Sequence, residues 1–172
     1  FKSLYPSIIR TFNICPLALI ENDKNPIRTP EGFRFSQSES ILPKILENLF
    51  EKRALAKENR NQALSQAIKI LMNSFYGIMG STRSRFYHAD LPQAITTTGH
   101  YLLMSAKEFF ENRGLEVIYG DTDSLFVKGS GDPKELTSDL DSYLSRLLKS
   151  EFQVESKLEC EFEKKFDQLY FP

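Results

Sequence analysis

Tyr119-Gly120-Asp121-Thr122-Asp123-Ser124 stands between two apolar runs, Leu115-Glu116-Val117-Ile118 before it and Leu125-Phe126-Val127 after it. β-rich runs joined by a short turn of Gly and Asp predict a β-hairpin. That turn sets two carboxylates at i and i+2 on a tight tip. Carboxylates held so close repel unless a cation lies between them, and hard oxygen ligands suit Mg²⁺ or Mn²⁺. A solvated turn would explain a bare D-x-D equally well, because Asp is favoured in turns by local hydrogen bonding. The flanking strands, and two further segments described below, turn the choice toward a metal site.

Working outward, the chain of 172 residues is long enough for one domain with a sizeable core and a smaller lobe. Its formal net charge is −1, so composition alone announces no polyanion partner. The distribution says more. Lys44, Lys52, Arg53, Lys57, Arg60 and Lys69 outnumber Glu47, Glu51 and Glu58, Arg83 and Arg85 follow, and 132–167 leans acidic. A basic middle points to a polyanion held there. Cys15 and Cys160 form no C-x-x-C pair, which fits a reducing, cytoplasmic setting. His88 and His100 are too scattered for a metal cluster, and no apolar run approaches the ~18 residues of a membrane span. The chain starts on Phe1 and ends on the apolar Leu169-Tyr170-Phe171-Pro172, so it is expected to be a piece of something longer.

Phe1 to Leu4 reads as extended and Tyr5 to Phe12 as a helix, with Pro6 in the first turn where a missing N–H is harmless. The transition leaves free N–H groups around Ser3 to Ser7, suited to an anion. Residues 22–40, with Pro26, Pro30 and Gly32, form a connecting loop. Helices are predicted over 41–59, with Leu42, Ile45, Leu46, Leu49 and Phe50 on one stripe, and over 64–79, with Leu64, Ile68, Leu71, Met72 and Phe75. The short polar link 60–63 makes them an antiparallel hairpin. A helix over 91–112 buries Ile95, Thr98, Leu102 and Phe109. Another runs over 133–152 behind an Asp132 N-cap. Alternation over 157–163 and 166–171 predicts two more strands. The fold class is α+β, an antiparallel sheet packed on helices with an inserted helical hairpin.

On the second hairpin helix, Lys69, Asn73 and Tyr76 are spaced i, i+4, i+7 and share one arc, roughly 120° from the apolar stripe. A cation, an amide and a phenol on their own face suit a ligand, although a solvated face is the plainer alternative. Arg53 and Lys57 form an i, i+4 cationic pair on the first helix. A polyphosphate would relieve their repulsion, as would Glu51 or Glu58.

Phe1-Lys2-Ser3-Leu4-Tyr5-Pro6-Ser7-Ile8-Ile9 resembles motif A of the family B DNA polymerases, D-x-x-S-L-Y-P-S-I-I, without its leading Asp. Lys69-Ile70-Leu71-Met72-Asn73-Ser74-Phe75-Tyr76-Gly77 resembles motif B, and Tyr119 to Ser124 is similar to motif C. Three motifs in order make the resemblance specific, and it covers essentially the whole chain. The wording of Leu64 to Ile70 resembles a bacterial member. The resemblance implies a palm at 1–36 and 80–172 with a fingers hairpin at 37–79. It implies template-directed nucleotidyl transfer from a dNTP to a primer 3′-OH with two Mg²⁺ ions, or Mn²⁺, on Asp121 and Asp123. It also implies Ser3 and Leu4 N–H groups on the nucleotide's phosphates and Tyr5 as the gate against a ribose 2′-OH. Arg53, Lys57 and Lys69 would meet the triphosphate, and Asn73 would lie near the incoming nucleotide. Tyr76, Gly77 and Thr122 would border primer-template DNA, and Glu161 or Glu163 loosely matches an acidic strand beside the site. The implied parent would add exonuclease and thumb domains, with a sliding clamp among its candidate partners. With the motif A Asp expected before Phe1, this piece alone is expected to be inactive. The rival readings are a non-catalytic nucleotide- or nucleic-acid-binding palm, and a palm-type cyclase or RNA-synthesising enzyme. Tyr5 argues against ribonucleotide use, and the motif B helix argues against a cyclase.

Overall fold

A computed structural model describes residues 1–19 and 24–168. The element order is α1 (Leu4–Thr11), β1 (Ile27–Arg28), β2 (Arg34–Phe35), α2 (Ile41–Glu58), α3 (Gln62–Gly80), α4 (Asp90–Glu111), β3 (Glu116–Asp121), β4 (Ser124–Lys128) and α5 (Pro133–Phe152). Mixed helix with two small antiparallel sheets is the predicted α+β class.

The core forms around α1. This helix is only eight residues long, yet Leu4, Ile8, Ile9 and, just past its end, Phe12 are buried. Helices α2, α3 and α4 all pack on it. A helix so short is marginal in isolation, so its stability comes from that burial. Near its end Thr11 Oγ1 donates to the Ser7 carbonyl at 2.8 Å and accepts from the Lys157 N–H at 3.0 Å. Arg10 fastens α1 to α2 by an ion pair to Glu47 at 2.5 Å, with its guanidinium 4.3 Å from the Phe50 ring centre.

Helices α2 and α3 form the predicted antiparallel hairpin. The chain reverses through Arg60 at φ 53°, and the Asn61 side chain caps α3 by accepting from the Leu64 N–H at 3.0 Å. The expected stripes are only partly covered. Leu42, Leu46, Ile68 and Met72 are buried, while Ile45, Leu64 and Leu71 are exposed. On α4 the expected face, Ile95, Thr98, Leu102 and Phe109, is buried throughout. Asp132 caps α5 through the Lys134 N–H at 3.1 Å, as predicted.

The β3–β4 hairpin is registered from Glu116↔Lys128 to Asp121↔Ser124, which leaves Thr122 and Asp123 as a two-residue turn. A register shift between Val117 and Tyr119 makes Ile118 a bulge, adding twist. The hairpin lies against α4. A Cβ at Gly120 would crowd Leu125 Cδ2 of the facing strand at 3.0 Å, while Leu103 Cδ2 of α4 would stand in ordinary contact at 3.9 Å.

Three expectations need correction. Residues 1–4 are not simply extended: Ser3 is left-handed at φ 52°, and the helix starts at Leu4. The loop over 22–40 contains the β1–β2 pair, each strand two residues long. Residues 157–163 form no strand. Their backbone contact with the body is Lys2 N–H to the Glu159 carbonyl at 2.8 Å, and the Cys160 N–H is taken by Asp141 Oδ1 at 2.9 Å. Alternation alone does not make a strand without a ladder partner. Of the strand expected over 166–171, residues 166–168 are not in a strand and the remainder lies outside the described residues.

Helix α4 crosses α1 at Gly99, where a Cβ would lie 3.5 Å from Tyr5 Cε1 and 3.6 Å from both Ile8 Cδ1 and Leu4 Cδ2. Those are ordinary contacts, and alanine is the better helix former. Gly99→Ala should therefore hold or raise stability by up to about 1 kcal/mol in urea unfolding. Gly99→Leu should cost about 1–3 kcal/mol by overpacking. Equal tolerance of both would show that the crossing is loose.

Candidate active site

Two segments distant in sequence meet at the hairpin tip. The Phe1 nitrogen donates to the Asp123 carbonyl oxygen at 2.6 Å. The tip is closed from within: the Asp123 N–H donates to the Asp121 carbonyl at 2.5 Å, and Ser124 Oγ donates to the same carbonyl at 3.2 Å. Thr122, at φ 45°, turns its Oγ1 onto Asp121 Oδ1 at 3.0 Å. Asp121 is exposed and Asp123 half-buried.

Beside the tip, left-handed Ser3 followed by right-handed Leu4 makes a backbone concavity of the anion-binding kind. Among the described residues the N–H groups of Ser3, Leu4 and Tyr5 find no acceptor, and the Ser3 side chain does not cap them. Ser3 Oγ instead accepts from Arg53 Nη1 of α2 at 3.0 Å. Arg53 Nε is buried and has no partner. The next residues of α1 carry Tyr5 onto Tyr76 of α3, with ring centres 4.8 Å apart and planes at 43°. The Tyr5 phenol is pushed above the usual tyrosine value, first by burial, then by Tyr76 and by the Asp123 carboxylate. Parts of all three motif segments thus share one place.

The remaining predicted residues divide. Lys57 joins Arg53 in an open cleft of ≈690 Å³, together with Arg60, Gln62, Ser65 and Gln66. No carboxylate lines it. Neither Glu51 nor Glu58 pairs with Arg53 or Lys57, and the ion pairs among the described residues lie elsewhere. Arg60, read from the sequence only as part of the basic middle, joins this cleft from the left-handed turn after α2, where helical spacing does not apply. Lys69 and Asn73 are exposed on α3, with no described contact to the hairpin tip. Gly77 follows Tyr76 in open space, where a Cβ would meet nothing within 4 Å. Glu161 and Glu163 are exposed outside any strand. No group of three or more His, Cys, Asp or Glu that could hold a metal ion occurs among the described residues, so Asp121 and Asp123 are a pair without a third ligand.

The hairpin bearing two carboxylates thus lies next to a turn with free N–H groups, which Arg53 of α2 reaches through Ser3. The model for DNA polymerase family B matches residues 1–171, and the chain belongs to that family. It is 40% identical to DNA polymerase II of Escherichia coli over all of this chain and 24% of that protein. It is 32% identical to a DNA polymerase of Archaeoglobus fulgidus over 99% of this chain and 22% of that one. A solved family B DNA polymerase from Pyrobaculum calidifontis superposes with a TM-score of 0.68 at 28% identity, covering 92% of this chain and 22% of that structure. The chain therefore spans about a quarter of the length of such relatives. No helix among the described residues is long and apolar enough to cross a membrane.

Because Asp123 helps hold the Tyr5 phenol neutral, Asp123→Asn should lower the Tyr5 pKa toward the ordinary tyrosine value. Burial and Tyr76 should keep it from returning fully. An NMR pH titration of the Tyr5 ring checks this. An unchanged or higher value would separate Tyr5 from the hairpin tip.

Proposed function

We propose that the chain forms the palm, residues 1–36 and 80–172, and the inserted fingers, residues 37–79, of a DNA-directed DNA polymerase. Its substrates are a primer-template DNA and a dNTP. The observation that carries this reading is the meeting of Ser3 and Tyr5 with Arg53, Tyr76 and Asp123. Asp121 and Asp123 would hold divalent cations, Mg²⁺ or Mn²⁺. When bound, these supply charge stabilisation for the attacking and leaving oxygens of an in-line phosphoryl transfer. Two oxygen-ligand side chains on one rigid turn suit such ions, and a third carboxylate is needed from outside the described residues. The Phe1 nitrogen lies on Asp123. In a longer chain, an Asp attached to that nitrogen would enter near the Asp123 backbone.

The chain's own groups do the positioning. The N–H groups of Ser3 and Leu4 receive phosphate oxygens. Arg53 exchanges Ser3 Oγ for a phosphate oxygen and has its unpartnered Nε available as a second donor. Lys57 and Lys69 neutralise the rest of the triphosphate, and Asn73 lies along the incoming nucleotide. Tyr5, packed against Tyr76 over Gly99, presents a rigid ring that leaves no room for a ribose 2′-OH. Gly77 lets the nascent base pair approach where internal packing makes no demand on it, and Tyr76 and Thr122 border the DNA. Cationic α2 and α3 close over the nucleotide when it binds. On this reading a longer protein would add exonuclease and thumb domains, with a sliding clamp among its partners, and a cytoplasmic setting suits the two free thiols.

Carried in a polymerase of full family length, these residues should extend a primer. Asp123→Asn should slow single-turnover extension by about a thousandfold or more, with nucleotide binding little changed. The 172 residues alone should not extend it. Extension by this chain alone, or full activity of the Asp123→Asn enzyme, would refute the reading.

A further inference from the structure

Beyond Gly80, at the end of α3 away from the cationic cleft, residues 81–89 form a loop whose exposed side chains the site above does not use. Phe86 is 56% and Tyr87 42% exposed, and neither ring stacks on another among the described residues. Arg83 and Arg85 are exposed and make no ion pair there. The loop is tightly folded. The Ser84 N–H donates to the Ser81 carbonyl at 2.8 Å, the Phe86 N–H to Ser84 Oγ at 3.1 Å and the Tyr87 N–H to the Ser84 carbonyl at 3.1 Å. The His88 N–H returns to the Met79 carbonyl of α3 at 3.3 Å. The rings are thus held out in water on a defined backbone, an arrangement that lowers the ordering cost of receiving a partner.

Charge says which partner. Between Glu58 and Asp90 the chain contains no Asp or Glu, while it carries Arg60, Lys69, Arg83 and Arg85. Two exposed aromatic faces directly after two arginines suit a single nucleic-acid strand, with bases on the rings and phosphates on the guanidinium groups. Position says which strand. The cationic cleft lies at the Gln62 end of α3, Tyr76 and Gly77 come near its far end, and the loop lies beyond them. A nucleotide with its triphosphate in the cleft and its base at Tyr76 has the loop on the side opposite its phosphates. On the polymerase reading, that is the side on which the template would continue unpaired.

We propose that residues 81–89 are a stacking platform for the unpaired template strand, with Phe86 and Tyr87 taking bases and Arg83 and Arg85 taking phosphates. The identity of the strand rests on the polymerase reading; the binding of single-stranded DNA does not.

The test is equilibrium binding of a fluorescent single-stranded oligonucleotide to the 172-residue chain by anisotropy, in EDTA. An abasic oligonucleotide of equal length is run in parallel. F86L/Y87L keeps apolar bulk and removes both π faces. It should weaken binding of the base-bearing strand about tenfold or more and leave the abasic strand nearly unchanged. R83A/R85A should weaken both strands and reduce the slope of log K against log salt by about 1.4, the value for two single-strand phosphates. Circular dichroism and melting check each variant, and the single changes F86L and Y87L replace the double one if it does not fold. The proposal is overturned if the parent chain does not bind the strand. It is equally overturned if the folded aromatic variants bind normally or lose both strands equally. If extension fails in the full-length enzyme while these binding results hold, the polymerase reading falls and the platform stands; the reverse pattern removes the platform alone.

Discussion

The hydrogen bond from the Phe1 nitrogen to the Asp123 carbonyl closes the longest loop of chain in the site, and the arrangement around it depends on that closure. Joining points so far apart in sequence has an entropic cost that grows slowly with length, and one hydrogen bond cannot offset it alone. What makes it possible is the burial of α1 among α2, α3 and α4, with Ile8, Ile9 and Phe12 fully enclosed. Once α1 is locked, its first turn has one place to go. Ser3 adopts a left-handed conformation that costs a non-glycine residue about 1–2 kcal/mol. The same turn leaves N–H groups free, points Tyr5 at Tyr76 and brings Ser3 within reach of Arg53. Strain and unsatisfied donors coincide where an anion is expected, which is how function-bearing backbone commonly departs from the cheapest conformation.

Electrostatics divides the surface along the same lines. Arg10, Lys44, Lys107, Arg113 and Lys128 are each paired with a carboxylate. Among the described residues Arg53 and Lys57 of α2, and Arg60 of the turn after it, have no carboxylate partner. Like charges at i, i+4 spacing repel mildly, and that cost persists in the folded chain unless a polyanion relieves it. The hairpin of α2 and α3 also leaves Leu55, Leu64, Ile70 and Leu71 exposed. A weakly covered, cationic two-helix projection beside a tightly packed core is the kind of element that moves on ligand binding.

Much of this was legible in the sequence. The hairpin around Asp121 and Asp123, the helices expected over 41–59, 64–79, 91–112 and 133–152 and the cap at Asp132 follow from periodicity and turn chemistry, which are local, and the structure holds them within two residues. The three motif segments carried the family. What the sequence concealed is non-local or lacks a pattern. The stacking of Tyr5 on Tyr76 and the tie of Arg53 to Ser3 depend on how helices cross, and no spacing rule encodes that. The two-residue strands β1 and β2 are too short for alternation to show. Alternation over 157–163 suggested a strand, but side chains and one backbone bond anchor that segment instead. Arg60 reaches the cleft through the turn that follows α2, which helical spacing does not reveal.

The central claim is that Asp121 and Asp123, beside the α1 turn, form the cation-binding face of this chain. Paramagnetic line broadening by a trace of Mn²⁺, followed on the backbone amides, measures this directly and tolerates weak binding. The account predicts that the Asp121, Thr122 and Asp123 amides broaden first, that those of Lys2, Ser3 and Leu4 follow because the turn lies against the tip, and that Asp123→Asn removes the effect. Broadening centred instead on the acidic surface of α5, around Glu135 and Asp139, or spread evenly over the exposed carboxylates, would contradict it.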